Sequence, residues 1–134
     1  LTEVTWAMPD DVLAEAVMQV WVSAEFSENL LDRELWLDMF DEIGYRHNTD
    51  RLRPPSEVQL WRGGAMSDRM AWTADRDLAE WFCRRFPGGK LWTATARGDQ
   101  LLAYYDAVRT GESEYIVNPL DLHPRLVESE VVTR

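Results

Sequence analysis

The 134-residue sequence predicts an α+β fold, and three observations predict it. The first 44 residues carry apolar side chains at helical spacing. From residue 57 onward, short alternating segments follow one another, most of them closed by glycine or proline, with one helix inserted at about 76–86. The connections between those segments are too short for repeated crossovers, so the sheet structure is expected to be mainly antiparallel or mixed. A chain of this length is expected to form a single domain over residues 1–134, with a helical part at 1–44 and a mainly β part at 57–134.

Pro9 to about Glu25 forms the first expected helix. Proline suits a first helical turn, and Asp10 and Asp11 face the positive end of the helix dipole. Val12, Leu13, Ala16, Val17, Val20 and Trp21 make two adjacent apolar columns. Ser27 can cap a second helix that Gly44 ends, with Leu30, Leu31, Leu35, Phe40 and Ile43 inward. Its acids Asp32, Glu34, Asp38, Asp41 and Glu42 form a solvated face. Tyr45 to Ser56 is polar, ends in Pro54-Pro55, and is expected to be a loop. A strand follows at Val58, and a short one at Ala71-Trp72. Asp75 can cap a helix from Arg76 to Phe86, with Leu78, Ala79, Phe82 and Phe86 inward. Pro87-Gly88-Gly89 ends it. In Lys90 to Ala96, Leu91, Thr93 and Thr95 alternate with Trp92, Ala94 and Ala96, a strand pattern. Gln100 to Val108 is ambiguous, and one or two helical turns would fit. Glu112 to Val117 is a strand, and Arg125 to Val132 a last one at an edge.

Composition narrows the function classes. With 46% apolar residues and seven tryptophans the chain can build a sizeable core. Its 14 basic and 24 acidic residues leave a net charge of −10. That charge argues against general nucleic-acid binding, which needs a basic face, and against an anionic membrane surface. The single cysteine, Cys83, excludes an intrachain disulfide and fits a reducing compartment. Leu1-Thr2-Glu3 has neither the basic nor the apolar region of a secretion signal, and no apolar run is long enough for a membrane span. A cytoplasmic location is expected. His47 and His123 stand without ligand spacing, so neither a metal site nor a histidine-based triad is expected. Cys83, in mid-helix, is expected to be a buried, inert thiol.

Three stretches carry chemistry. In Val58-Gln59-Leu60-Trp61-Arg62-Gly63-Gly64, residues Val58, Leu60 and Arg62 share one strand face. An arginine at the tip of a buried strand is costly unless it meets an anion, and the glycines allow a backbone or ligand to approach closely. Its plainer role is an ion pair with Glu112 or Glu114. The second stretch is Met70-Ala71-Trp72-Thr73-Ala74-Asp75. The third is Gly111-Glu112-Ser113-Glu114-Tyr115-Ile116-Val117, where Glu112 and Glu114 point to one face of a strand. Two such acids raise each other's pKa unless a cation or ligand separates them. A second copy, Glu128-Ser129-Glu130, reads as a solvated face.

The order of these parts resembles the Arg–Ser–Glu signature of the ADP-ribosyltransferases, in the arginine-directed branch with Glu-x-Glu. Trp61-Arg62-Gly63, Ala71-Trp72-Thr73 and Glu112-Ser113-Glu114 carry the likeness, which runs from about Glu57 to Asn118. Leu60-Trp61-Arg62-Gly63, Trp72-Thr73-Ala74-Asp75, Ala79-Glu80-Trp81-Phe82 and Glu112-Ser113-Glu114-Tyr115-Ile116-Val117 are similar to small phage and actinobacterial members. The resemblance implies helices followed by two small packed sheets with an NAD cleft between them. It implies NAD as co-substrate, no metal, and a protein target with an accessible arginine. Arg62 would hold NAD phosphate or ribose oxygens, with Gly63, Ala71, Trp72 and Thr73 lining the same cleft. Glu114 would grip the nicotinamide ribose and stabilise the oxocarbenium ion, and Glu112 would accept from the attacking guanidinium. The middle motif departs from the family: Ala71 stands where a serine hydroxyl helps orient the catalytic acid. Trp72 is either a wall of the cleft or core. Tyr104 and Tyr105 are either target contacts or core. The function implied is mono-ADP-ribosylation of arginine. An NAD glycohydrolase, or a binding module that has lost catalysis, are the alternatives.

Overall fold

Four layers stack in the order helices, sheet, sheet, helix. The computed structural model describes residues 10–23, 27–48, 50–85, 87–107 and 112–127, with the backbone alone for residues 10, 23, 27, 107 and 112. Among these, four α-helices and two small sheets make a mixed α+β structure, as the sequence predicts.

Helix α1 (Asp10–Ser23) buries Leu13, Ala14, Val17, Met18 and Trp21. The stripe is turned slightly from the expected one: Val12 and Val20 are 51% and 42% exposed. Small Ala14 and flexible Met18 allow the closer approach, so they take the inner positions. The helix expected from Ser27 to Gly44 is two helices, α2 (Ser27–Leu30) and α3 (Arg33–Ile43). The break falls at Leu31-Asp32, where Asp32 is extended at φ −62° and ψ 148°. Aspartate favours such helix starts over helix interiors. The break leaves Leu30 54% exposed, and Trp36, which had not been placed inward, is fully buried with Phe40 and Ile43. Gly44 ends α3 at φ 71°, and its N–H donates to the Phe40 carbonyl. The rings of Trp21 and Trp36 meet edge to face at 4.9 Å between centroids, and Phe40 lies 5.7 Å from Trp21.

The first sheet has the strand order β2-β1-β6-β7-β4: β1 is Arg46–His47, β2 Asp50–Arg51, β4 Ala71–Trp72, β6 Leu101–Ala107 and β7 Glu112–Val117. The second has the order β3-β5-β8, with β3 at Glu57–Gly64, β5 at Lys90–Arg97 and β8 at Arg125–Leu126. Helix α4 is Arg76–Arg85. Two expectations fail here. Tyr45–Ser56 is not all loop, because β1 and β2 lie in it and β1 pairs in parallel with β6. Strands of two residues show no periodicity, and here long-range pairing supplies their order. In the described part of the stretch expected from Gln100 to Val108, the 3₁₀ turn Gly98–Gln100 is the only helical turn, and Leu101–Ala107 is a strand. A register shift between Leu101 and Ala103 breaks its alternation, which is why the pattern was ambiguous. The strand expected to Val132 is seen as β8, with residues from 128 on, including Glu128 and Glu130, outside the described set.

Three cores separate the layers. Leu13, Val17, Trp36, Phe40, Ala103 and Ile116 fill the space between α1, α3 and the first sheet. Leu60, Ala94 and Ala96 meet Trp72, Leu101 and Val117 between the sheets. Ala79, Cys83 and Leu91, with Trp61 against them, lie under α4. Burial pushes the Cys83 thiol up, in keeping with an inert side chain. Arg46 is fully buried, donating Nε to the Ile43 carbonyl at 3.1 Å and Nη1 to Asp11 at 2.9 Å. It ties β1 to the end of α3 and the start of α1. Among the described residues no helix is long and apolar enough to cross a membrane.

Helix α4 sits directly on the backbone of β3. A Cβ placed on Gly63 would lie 2.0 Å from the Ala79 carbonyl oxygen and 2.5 Å from the Cys83 nitrogen. Both are backbone atoms and cannot swing aside. Gly63→Ala is therefore expected to destabilise the fold by about 1–3 kcal/mol, the usual penalty of overpacking. Urea unfolding checks this, and an unchanged midpoint would show that α4 is loosely seated.

Candidate functional site

Among the described residues one isolated backbone bridge joins the two sheets. Trp61 N–H donates to the Thr73 carbonyl at 2.7 Å, and Thr73 N–H donates back to the Trp61 carbonyl at 2.9 Å. This pinch sets the end of β3 against the end of β4 and places Arg62 beside Ala71. A cleft of about 450 Å³ opens there, within the usual size range for small-molecule sites. Arg62, Gly63, Ala71, Trp72, Thr73, Ser113 and Glu114 line one side, and Leu78, Trp81, Phe82 and Arg85 of α4 line the other. Three stretches far apart in sequence thus meet at one opening.

Arg62 is held by carbonyls. Its Nε donates to Met66 O at 3.0 Å and its Nη1 to Ala71 O at 2.8 Å. Among the described residues no carboxylate forms an ion pair with it. Burial pulls its pKa below the ordinary value, while Glu28 and, more weakly, Glu114 pull it back up. The guanidinium is thus fixed in place, aimed at the cleft, and not neutralised by contact. Such a group suits an anionic ligand. The loop that clasps it is fixed from behind: Glu28 accepts from Met70 N–H at 3.0 Å and pairs with Arg33 at 3.1 Å.

Thr73 is buried, and its hydroxyl accepts from Asp75 N–H at 3.0 Å. Asp75 in turn accepts from the N–H groups of Asp77 and Leu78, at 3.0 and 3.3 Å, and so caps α4. The stretch Thr73–Asp75 therefore launches the helix that forms the opposite wall. Trp72 serves both of its open roles. Its ring lies in the core between the sheets and reaches the cleft, with its indole N–H on the Arg69 carbonyl at 2.9 Å. Gly63 is approached by the backbone of α4 while its open side lines the cleft.

Glu114 stands on β7 opposite Tyr105. Its Oε2 accepts from the indole N–H of Trp21 at 2.6 Å, a contact across 93 residues. Glu112 opens β7 with its backbone paired to Ala107. Tyr105 lines the cleft, whereas Tyr104 faces the other way, stacked on His47 at 4.6 Å and close to Tyr115. Sequence reasoning did not assign Trp21, Trp81 or Arg85 to the site. Trp81 is 45% exposed on an otherwise amphipathic helix, with the Arg85 guanidinium 4.8 Å from its ring centroid. An exposed tryptophan four residues before an arginine was the available signal. Trp21 had none, since its partner is remote in sequence. Among the described residues no group of three His, Cys, Asp or Glu is placed to hold a metal ion.

No family model matches the chain, and no curated protein or solved structure matches it either.

Proposed function

We propose that the chain is a mono-ADP-ribosyltransferase that moves ADP-ribose from NAD to an arginine of a protein target and releases nicotinamide. One observation carries this reading: Arg62, Thr73 and Glu114, from the three motif stretches, line a single cleft in which the partners of Arg62 among the described residues are carbonyls. In a molecule of net charge −10, a cleft lined by Arg62 and Arg85 is a local exception suited to a diphosphate. The aromatic rings of Trp81 and Phe82 offer flat surfaces to the heterocycles of a dinucleotide.

The chemistry follows from charge. As the bond from nicotinamide nitrogen to ribose C1′ breaks, its electron pair leaves with nicotinamide and positive charge grows on the ribose. A fixed carboxylate at Glu114 stabilises that charge. A nitrogen of the target guanidinium then bonds to C1′, and Glu112 takes its proton. Water needs less help than a protonated guanidinium. Glu112→Gln is therefore expected to suppress arginine modification while leaving measurable NAD hydrolysis. Equal loss of both activities would show that the two acids act as one unit.

One observation favours a second reading, a cleft that binds without chemistry: the methyl of Ala71 offers no hydroxyl to the acid. Incubation of the chain with NAD and agmatine, followed by mass spectrometry, separates the possibilities. An ADP-ribosyl-agmatine adduct is expected. Free ADP-ribose without adduct would make it a glycohydrolase, and intact NAD a binding module.

A further inference from the structure

We infer that Trp21 is a positioning residue for Glu114, so that the helical layer forms part of the site and does not merely support it. This rests on the catalytic role proposed for Glu114. The observation is the 2.6 Å hydrogen bond from the Trp21 indole Nε1 to Glu114 Oε2. A charge-assisted bond of this length holds an oxygen far better than an ordinary surface contact.

The donor is itself rigid. Trp21 is 3% exposed and is boxed by Trp36, edge-on at 4.9 Å, and by Phe40 at 5.7 Å. Trp36 and Phe40 stack on each other at 5.9 Å. The indole cannot turn without disturbing two other buried rings. Its N–H therefore defines where one oxygen of Glu114 rests, and hence how the carboxylate faces the cleft.

On the neighbouring strand β4, the methyl of Ala71 carries no hydrogen-bond donor. An indole from another layer supplies a donor that Ala71 cannot. A group that acts this way affects the transition state through the placement of charge, and substrate affinity much less.

The test is Trp21→Phe, which keeps an aromatic ring in the box and removes the N–H donor together with part of the indole's volume. NAD cleavage is expected to lose roughly 10- to 100-fold in kcat, the weight of one hydrogen bond to a charged group, with KM for NAD little changed. Wild-type kcat in a folded Trp21→Phe protein would overturn the inference. A second measurement does not depend on turnover. In the full chain labelled with nitrogen-15, the Trp21 indole N–H resonance is expected to move on Glu114→Gln. The Trp92 indole, which donates to the Gly64 carbonyl at 3.0 Å, is expected to stay in place. An unmoved Trp21 resonance would show that the indole does not hold the carboxylate. If the wild-type chain cleaves no NAD although the resonance moves, the enzymatic reading of Glu114 is what fails, and positioning for catalysis fails with it.

Discussion

Glu114→Gln is expected to lower NAD cleavage by roughly 100- to 1000-fold, whether the acceptor is agmatine or water, since a fixed charge that stabilises a transition state typically contributes about 3–4 kcal/mol. The expectation comes from placement. Glu114 lines the cleft with Arg62 and Thr73, and one of its oxygens is pinned by an indole. Glutamine keeps the size of the side chain and removes the charge. It can still accept the indole hydrogen bond through its carbonyl oxygen, so the aromatic box is expected to remain and thermal unfolding to change little. Nicotinamide release, followed by chromatography, is the direct measurement. Full turnover by a folded Glu114→Gln protein would refute the catalytic assignment.

Arg62→Ala is expected to weaken NAD binding by roughly 10- to 100-fold, the range for losing a hydrogen bond to a charged ligand group. Arg62→Lys should recover only part of this, because an ammonium keeps the charge but not the planar fork. Arg62 also fastens Met66 and Ala71 through their carbonyls, so some loosening of the loop will accompany the loss. Binding and folding can be told apart by titrating NAD against tryptophan fluorescence at a temperature where circular dichroism shows both variants intact. The cleft holds Trp61, Trp72 and Trp81, so a signal is expected. Unchanged affinity in Arg62→Ala would place the dinucleotide elsewhere. The two variants predict opposite patterns, Glu114→Gln acting on kcat and Arg62→Ala on NAD affinity.

Local signals explain which parts of this protein were legible from sequence. Strands β3, β5 and β7 are short segments bounded by proline or glycine, and α4 has its cap at Asp75 written into the sequence. The placement of Arg62 near the end of β3 follows from the glycines after it. What escaped depends on distant partners. The parallel pairing of Arg46-His47 with Ala103-Tyr104 joins segments with no pattern of their own. At the break, Asp32 reads equally as a helix start and as part of the acidic face, and the short helix before it is held by a bond from Met70 N–H to Glu28, 42 residues away. Trp21 is apolar, large and in register with a helix face, so core was its natural reading; its indole N–H mattered only once β7 was folded beside it. The exposed face of α4 was passed over because amphipathicity directs attention to the buried side.

The contact between Gly63 and α4 also bears on the width of the cleft. Trp81, Phe82 and Arg85 ride on the same helix whose Ala79 carbonyl comes within 2.0 Å of where a Cβ at 63 would stand. Ordinary contact between heavy atoms is about 3.5 Å, so one added methyl would lift that whole wall by about 1.5 Å. The missing side chain at residue 63 thus acts as a spacer gauge. It sets how far the aromatic wall stands from Arg62 and Glu114, and so which flat ligand can be gripped from both sides. Displacements near 1 Å are enough to cost about 100-fold in a positioned reaction. A change buried beneath the helix, touching no substrate, would reach the chemistry as a change of bore.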